Sequence, residues 1–321
     1  MTGTMRRLAD LEPGAIRAGL SSIDPAFTRS PQFVHETLSQ LLGVPVIVKV
    51  ECVNPIRSFK GRGTFVAMRA LLAEGLVGPE RPVVCASAGN FGQGVAIAGR
   101  SMDVPALVFA SLRADRAKVA RMRSLGAEVI ESGDDFDAAR AASEAHAAAH
   151  GHHLLVDGED PRISTGAATM ALEVTAAVIT GELPSPVMAF VPVGNGSLIN
   201  GIGSWMAAEL PTCQVVGVQS DAAPAMTRSW RAGRAIDTQT AASVADGIAT
   251  RISLPLAVAL MAGRVHDMRL VTEGQLLVAQ QELIEALGIT VETSASVGWA
   301  ALTAAPRPVG PVLLIITGSN A

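Results

Sequence analysis

The sequence has no tyrosine among its 321 residues, and only three lysines (Lys49, Lys60 and Lys118) beside 22 arginines. A phenol is thereby excluded as a proton carrier, and any reaction that needs an amine side chain has three candidates. Cysteine is equally scarce. Cys52, Cys85 and Cys213 are odd in number and far apart, which fits neither a disulfide framework nor a CxxC zinc clamp. Charged residues make up 17% and the net charge is −4, so the basic surface that nucleic acid or an anionic membrane would require is missing. No apolar run reaches the roughly 18 residues needed to span a bilayer. The segment Met1–Leu8 lacks the apolar centre of a secretory signal. Internal repeats, low-complexity tracts and long charge runs are absent. What the chain does have is 49% hydrophobic residues, enough core for one large domain or two ordinary ones. A soluble cytoplasmic protein without nucleic-acid or membrane partners is expected.

Short β-rich apolar runs alternate with alanine-rich stretches of helical period, the pattern of βαβ units around buried parallel sheets. Strands are expected at Val44–Glu51, Val83–Ser87, Ala106–Ala110, Glu128–Glu131, Leu154–Asp157, Val187–Val193, Gln214–Gln219, Arg269–Thr272 and Val312–Thr317. Helices are expected at Thr64–Leu76, Gly92–Arg100, Asp115–Leu125, Phe136–Ala149, Thr165–Ile179 and Gly274–Leu287. Gly126 and Gly288 stand where helix C-caps belong. The fold class is therefore α/β. In open α/β sheets, ligands gather at the carboxyl ends of strands, and the loops after Glu51, Cys85, Val193 and Ile316 are rich in glycine, serine and asparagine.

Three of these loops carry chemistry-bearing residue types. In Asn54-Pro-Ile-Arg-Ser-Phe-Lys60-Gly-Arg-Gly63, a lysine lies in a glycine-flanked turn beside an aromatic, just before the helix expected near Thr64. Burial in such a place lowers an amine's pKa and makes it a nucleophile; the alternative is a surface lysine at a helix start. Lys49 reads as an edge-strand or paired lysine and Lys118 as part of a solvated helix face. In Ser87-Ala88-Gly89-Asn90-Phe91-Gly-Gln-Gly94, a strand runs into a helix whose free amides can hold an anion; a plain N-cap is the other reading. In Pro192-Val-Gly194-Asn195-Gly196-Ser197-Leu198, consecutive amides with little side chain suit a phosphate. This last loop is neither a Walker A motif nor a dinucleotide fingerprint.

Taken together, Ser58-Phe59-Lys60-Gly-Arg-Gly63, Ser87-Ala-Gly-Asn90 and Pro192–Leu198 resemble the β-family of pyridoxal-phosphate enzymes. This is the tryptophan-synthase-β-like group (fold type II), and the resemblance is to its serine/threonine dehydratase branch. Asp160-Pro161, Thr169-Met-Ala-Leu-Glu173, Ala245-Asp-Gly247, Glu292 and Thr317-Gly-Ser-Asn320 follow in the same order, so the resemblance covers about residues 25–320. It implies a two-domain α/β fold with parallel sheets flanked by helices. The large domain would take residues 1–72 and 159–321, the small one 73–158. It further implies that Lys60 carries pyridoxal 5′-phosphate as a Schiff base and removes the substrate Cα proton, with Phe59 packed at the cofactor. Gly194, Asn195, Gly196, Ser197 and Leu198 would hold the phosphate, Asn90 the ring oxygen and Thr317 the pyridine nitrogen. Ser87, Ala88, Gly89, Asn90, Phe91, Arg57, Gly247 and Glu292 would face a small amino-acid substrate.

The implied activity is β-elimination from L-threonine or L-serine, an ammonia-lyase of amino-acid metabolism. A β-replacement synthase making cysteine or diaminopropionate is the alternative enzyme, and a non-catalytic pyridoxal-phosphate-binding protein the alternative class. A homodimer is expected. Since the chain closes four residues after Thr317, no C-terminal regulatory domain is expected. Departures from the family pattern concern the substrate. Phe91 replaces a histidine, Ile56-Arg57 precedes the lysine motif, and Ala88 stands where the racemase branch has a serine. Gln219 stands where that branch has a metal-ligating glutamate, so a divalent-cation site is not expected. His146 and His150 have the i, i+4 spacing of a zinc pair, but no third ligand completes it, and a solvated helix end is expected there.

Overall fold

The computed structural model describes residues 9–304 and 306–320; Met1–Leu8, at the start of the expected large domain, lie outside them. Ten strands form two sheets. They are β1 (Gln32–Val34), β2 (Val46–Val50), β3 (Val83–Ala86), β4 (Ala106–Ala110), β5 (Ala127–Glu131), β6 (His153–Leu154), β7 (Met188–Pro192), β8 (Gln214–Ser220), β9 (Asp267–Val271) and β10 (Val312–Ile316). The larger sheet has the order β1-β2-β10-β7-β8-β9, parallel except for β1, and the smaller has the order β5-β4-β3-β6, wholly parallel.

Alternation along each strand sends side chains to opposite faces, and here both faces are buried. On one face of the larger sheet, Ile47, Ala189, Val191, Val215, Leu313 and Ile315 pack with the helices Pro161–Ile179 and Ser197–Glu209. On the other, Val46, Val48, Phe190, Val216, Leu314 and Ile316 meet the helices Glu273–Leu287 and Thr293–Thr303. Burial on both faces is why these strands read as unbroken apolar runs. In the smaller sheet, Val83, Cys85, Ala106 and Val108 pack against the helices Lys60–Ala73, Asn90–Ser101 and Arg116–Ser124. Val84 and Phe109 face the Phe136–His150 helix. The Lys60–Ala73 helix ends one residue past the expected boundary at 72, yet its Phe65, Met68 and Leu71 belong to the core of the smaller sheet.

Several expectations are corrected. The Lys60–Ala73 helix begins at the lysine itself, not near Thr64. Strand β6 is two residues long, so Leu155–Asp157 have already left the sheet. Lys49 is fully buried on an interior strand and paired with Glu173 at 2.5 Å, so it is no edge lysine. Lys118 is not simply solvated, because it bonds Asp246 across the cleft between the sheets. The rings of His146 and His150 stack at 4.2 Å between centroids, and His150 Nδ1 contacts the His146 carbonyl. Among the described residues, no group of three histidine, cysteine or acidic side chains is disposed to hold a metal.

Candidate active site

Parallel strands present all their carboxyl ends on one side, and the loops leaving β2, β3, β6, β7 and β10 line a single cavity of about 510 Å³ between the sheets. The loop after β2 is shaped by Asn54, whose Oδ1 accepts the amides of Ile56 and Ser58 and whose Nδ2 donates to the Glu51 and Ser58 carbonyls. It is stitched to the end of β10 as well. The Phe59 amide donates to the Thr317 carbonyl at 3.0 Å and the Ser319 amide to the Arg57 carbonyl at 3.0 Å. These bonds put Lys60 at the first position of its helix, with its amine 4.8 Å from the Phe59 ring centre.

Across the cavity, Gly196 takes a left-handed backbone (φ 98°) and opens the Ser197–Glu209 helix. Its leading amides have no carbonyl inside the helix to bond, so they form a row of donors at a positive dipole end. From the smaller sheet, Ser87 ends β3; its Oγ accepts the amides of Gly89 (3.2 Å) and Gly92 (2.9 Å), which aligns the turn with the Asn90–Ser101 helix. Asn90 is clamped, its Nδ2 donating to both oxygens of Glu292 (3.2 and 3.0 Å) and its Oδ1 accepting from Asn320 at 2.8 Å. Burial pushes the Glu292 carboxyl above its ordinary range, against the hydrogen bonds from Asn90 and Ser294.

The cavity brings together Phe59, Lys60, Ser87, Ala88, Gly89, Asn90, Phe91, Gly194, Asn195, Gly196, Ser197, Leu198, Gly247, Glu292 and Thr317. It does not bring in Arg57. That residue turns left-handed (φ 51°) to let the loop reach β10, and its side chain is exposed away from the cavity wall. Gln219 lies elsewhere, buried, its Oε1 accepting the Thr227 amide (2.7 Å) and hydroxyl (2.9 Å).

Reasoning from the sequence missed two features of the wall. The first is Asp157, which accepts from Lys60 Nζ at 2.5 Å and from Ser197 Oγ at 2.5 Å. Its signal was its place just after a parallel strand, where ligand-facing residues collect. The second is a pair of ion pairs across the mouth, Lys118–Asp246 and Arg251–Asp137. Their partners are too distant in the chain for any spacing to reveal.

A phosphate ester, an aldehyde and a pyridine ring call for a run of donors, an amine and an uncharged hydrogen-bonding group. The loop 194–198, Lys60 and the buried Thr317 meet those needs on the walls of one cavity, so the residues present fit pyridoxal phosphate. Comparison with known proteins agrees. The family model for pyridoxal-phosphate dependent enzymes matches residues 23–318. The L-threonine ammonia-lyase of Thermotoga maritima is 33% identical over 309 residues, 94% of this chain and 75% of that protein. The crystal structure of a bacterial threonine deaminase (source given as T.th.) superposes with a TM-score of 0.87 at 28% identity, covering 97% of this chain and 98% of that one. Maize serine racemase shares the fold, with a TM-score of 0.87 at 23% identity over 97% of this chain and 94% of that one. The amine, the row of amides and the matched span lead to one conclusion: this chain belongs to the family of pyridoxal-phosphate-dependent enzymes.

Proposed function

We propose that the protein is an ammonia-lyase that converts a β-hydroxy amino acid, L-threonine or L-serine, to a 2-oxo acid and ammonia. The observation that carries the reading is the placement of Lys60, whose amine opens on a cavity bounded on one side by the amides of 194–198 and on another by the Ser87–Phe91 loop. The relative from Thermotoga maritima, named an L-threonine ammonia-lyase, supports the same choice. In this reading the amides of Gly194, Asn195, Gly196, Ser197 and Leu198 hold the phosphate and the Asn90 amide faces the ring oxygen. The Thr317 hydroxyl meets the pyridine nitrogen without adding charge. Phe59 covers the ring and keeps water out. The Ser87 hydroxyl and the turn through Ala88 and Gly89 bind the substrate carboxylate, with Phe91, Gly247 and Glu292 around the side chain.

Pyridoxal phosphate, when bound, supplies the electron withdrawal that makes the substrate Cα proton acidic. Lys60 Nζ takes that proton and holds it on one face. On the other face the Ala88 methyl can neither donate nor accept a proton, so inversion at Cα has no second acid–base group. Overall, the β-hydroxyl leaves with the Cα proton as water, and one water replaces the nitrogen. The products are ammonia and the 2-oxo acid.

The division into a large unit (1–72 and 159–321) and a small one (73–158) is part of the proposal, and the two sheets support it. A homodimer working in the cytoplasm completes it. The 42%, 40% and 57% exposure of Phe33, Val34 and Leu41 at the β1 edge favours a covered surface there, and three free, buried cysteines suit a reducing compartment. Sedimentation would test the dimer.

The activity is tested with L-threonine and L-serine in deuterated water, following 2-oxo acid, ammonia and chirality together, with and without an added thiol. Release of 2-oxo acid with retained chirality in the remaining substrate is expected, and Ala88→Ser should introduce some inversion. A thiol adduct in place of 2-oxo acid, or inversion as fast as release, would overturn the reading.

A further inference from the structure

Around the cavity, nearly every ionised side chain has a partner remote from the reacting centre. Lys118 bonds Asp246, Arg251 bonds Asp137, and Arg140 bonds Glu144 and Glu159. Glu292 receives Asn90 and Ser294, and Asp135 caps the Phe136–His150 helix through the Ala138 amide. Asp157 differs. Its carboxylate is 8% exposed, and its two oxygens accept from Lys60 Nζ and from Ser197 Oγ, each at 2.5 Å. Those two donors are the amine that must reach an aldehyde and the first residue of the helix whose leading amides form the anion cradle.

A helix N-terminus attracts an anion through its unpaired amides and dipole. A phosphate ester carries about −1.5 to −2 charge near neutral pH, so a carboxylate anchored on the same serine repels it. The Lys60 amine, likewise, has to leave its ion pair before it can attack a carbonyl carbon. We propose that Asp157 is a resident competitor for the cofactor. It contends with the phosphate for the start of the Ser197–Glu209 helix and with the aldehyde for Lys60. It therefore holds both the affinity for pyridoxal phosphate and the speed of its capture below what the remaining residues would give, so that occupancy of the site follows cofactor supply. The inference rests on the family's cofactor and is independent of the substrate.

The test starts from purified holoenzyme, stripped of cofactor with hydroxylamine and refilled with measured pyridoxal phosphate. Binding is read from the absorbance of the lysine–aldehyde adduct, at equilibrium and by stopped flow. Asp157→Asn keeps the shape and removes the charge. It is expected to bind at least ~10-fold more tightly, a modest figure for like charges this close, and to capture the cofactor faster. With pyridoxal, which lacks the phosphate, the gain should be at least ~3-fold smaller, because only the lysine half of the competition remains. Asp157→Ser, which also removes the charge, should behave in the same way, and unfolding midpoints of the stripped proteins identify a variant that has lost its fold. Unchanged or weaker binding in the folded variants would overturn the proposal, since Asp157 would then help to hold the cofactor. An equal gain with pyridoxal would also overturn it, because the effect would lie at the lysine alone. If capture behaves as expected while no 2-oxo acid forms, the proposed activity fails and this inference stands.

Discussion

Two clusters of charge sit two residues apart in sequence, at the start of the same helix, and they are built on opposite plans. Around Arg62 everything is closed. The guanidinium donates to Glu51 through Nε (2.8 Å) and Nη2 (2.9 Å), to Glu173 through Nη1 (2.8 Å) and Nη2 (2.9 Å), and to the Thr169 hydroxyl at 3.0 Å. Lys49 joins with 2.5 Å to Glu173, giving two cations and two carboxylates away from solvent. Burial works against the Glu173 charge, yet the hydrogen bonds and charges of Arg62 and Lys49 outweigh it and hold that carboxyl below its ordinary range. Around Lys60 there is one carboxylate, Asp157, at the edge of an open cavity. A network with every donor satisfied cannot change partners without leaving a buried charge alone. A single pair beside a cavity can. The closed cluster serves to hold the helix start in place, and the open one to exchange bonds with what enters.

The contrast breaks or sharpens under substitution. Lys60→Ala should cost at least ~10²-fold in elimination, the scale of a lost acid–base group, while its unfolding midpoint stays near that of the parent. Arg62→Ala should do the reverse and remove about 3–5 kcal/mol of stability, because Glu51 and Glu173 are left buried and unpaired; denaturant unfolding of both variants reads this. A midpoint for Lys60→Ala as low as that for Arg62→Ala would erase the distinction.

Acid should expose the closed cluster next. The folded Glu173 carboxyl lies below its unfolded value, so its contribution is present above about pH 4.3 and is lost as the pH falls through the folded value. Below that point the parent should lose stability more steeply with pH than Glu173→Gln, and parallel curves would deny the pairing its role. Smaller still is the pair at the mouth. Asp246 is 74% exposed, so Lys118→Ala should shift stability by less than about 1 kcal/mol and the difference should fade with added salt. Smallest of all is metal removal. With the Gln219 oxygen committed to Thr227 and no carboxylate at that position, a chelator is expected to leave the rate of 2-oxo acid release unchanged. Activation by magnesium or calcium mapped to this loop would contradict that.

The sheet was the most legible part of the molecule, because strands buried on both faces are continuous apolar runs. Ala106–Ala110 reads from the sequence with the bounds it has in the fold. Strand β1 was not legible, since Gln32-Phe33-Val34 is too short to show a period. Gly61 and Gly63 misled, because they read as a turn before the helix but lie inside it. They are glycine because a Cβ at Gly61 would stand 2.3 Å from the Phe27 ring and one at Gly63 2.6 Å from the Ile163 carbonyl. Within the site, the lysine and the glycine loops announced themselves by residue type and position. Asp157 did not, because nothing local distinguishes it; its meaning comes from Lys60 and Ser197, which are close only after folding.

The central claim is that Lys60 is the amine of the open cluster and carries the cofactor. The most direct measurement is borohydride reduction of the pyridoxal-phosphate-loaded protein, followed by proteolysis and mass mapping of the pyridoxyl group. The three lysines give three distinguishable peptides. The account requires the label on Lys60 alone. A label on Lys49, which this fold seals inside the closed cluster, or on Lys118 at the mouth would contradict it.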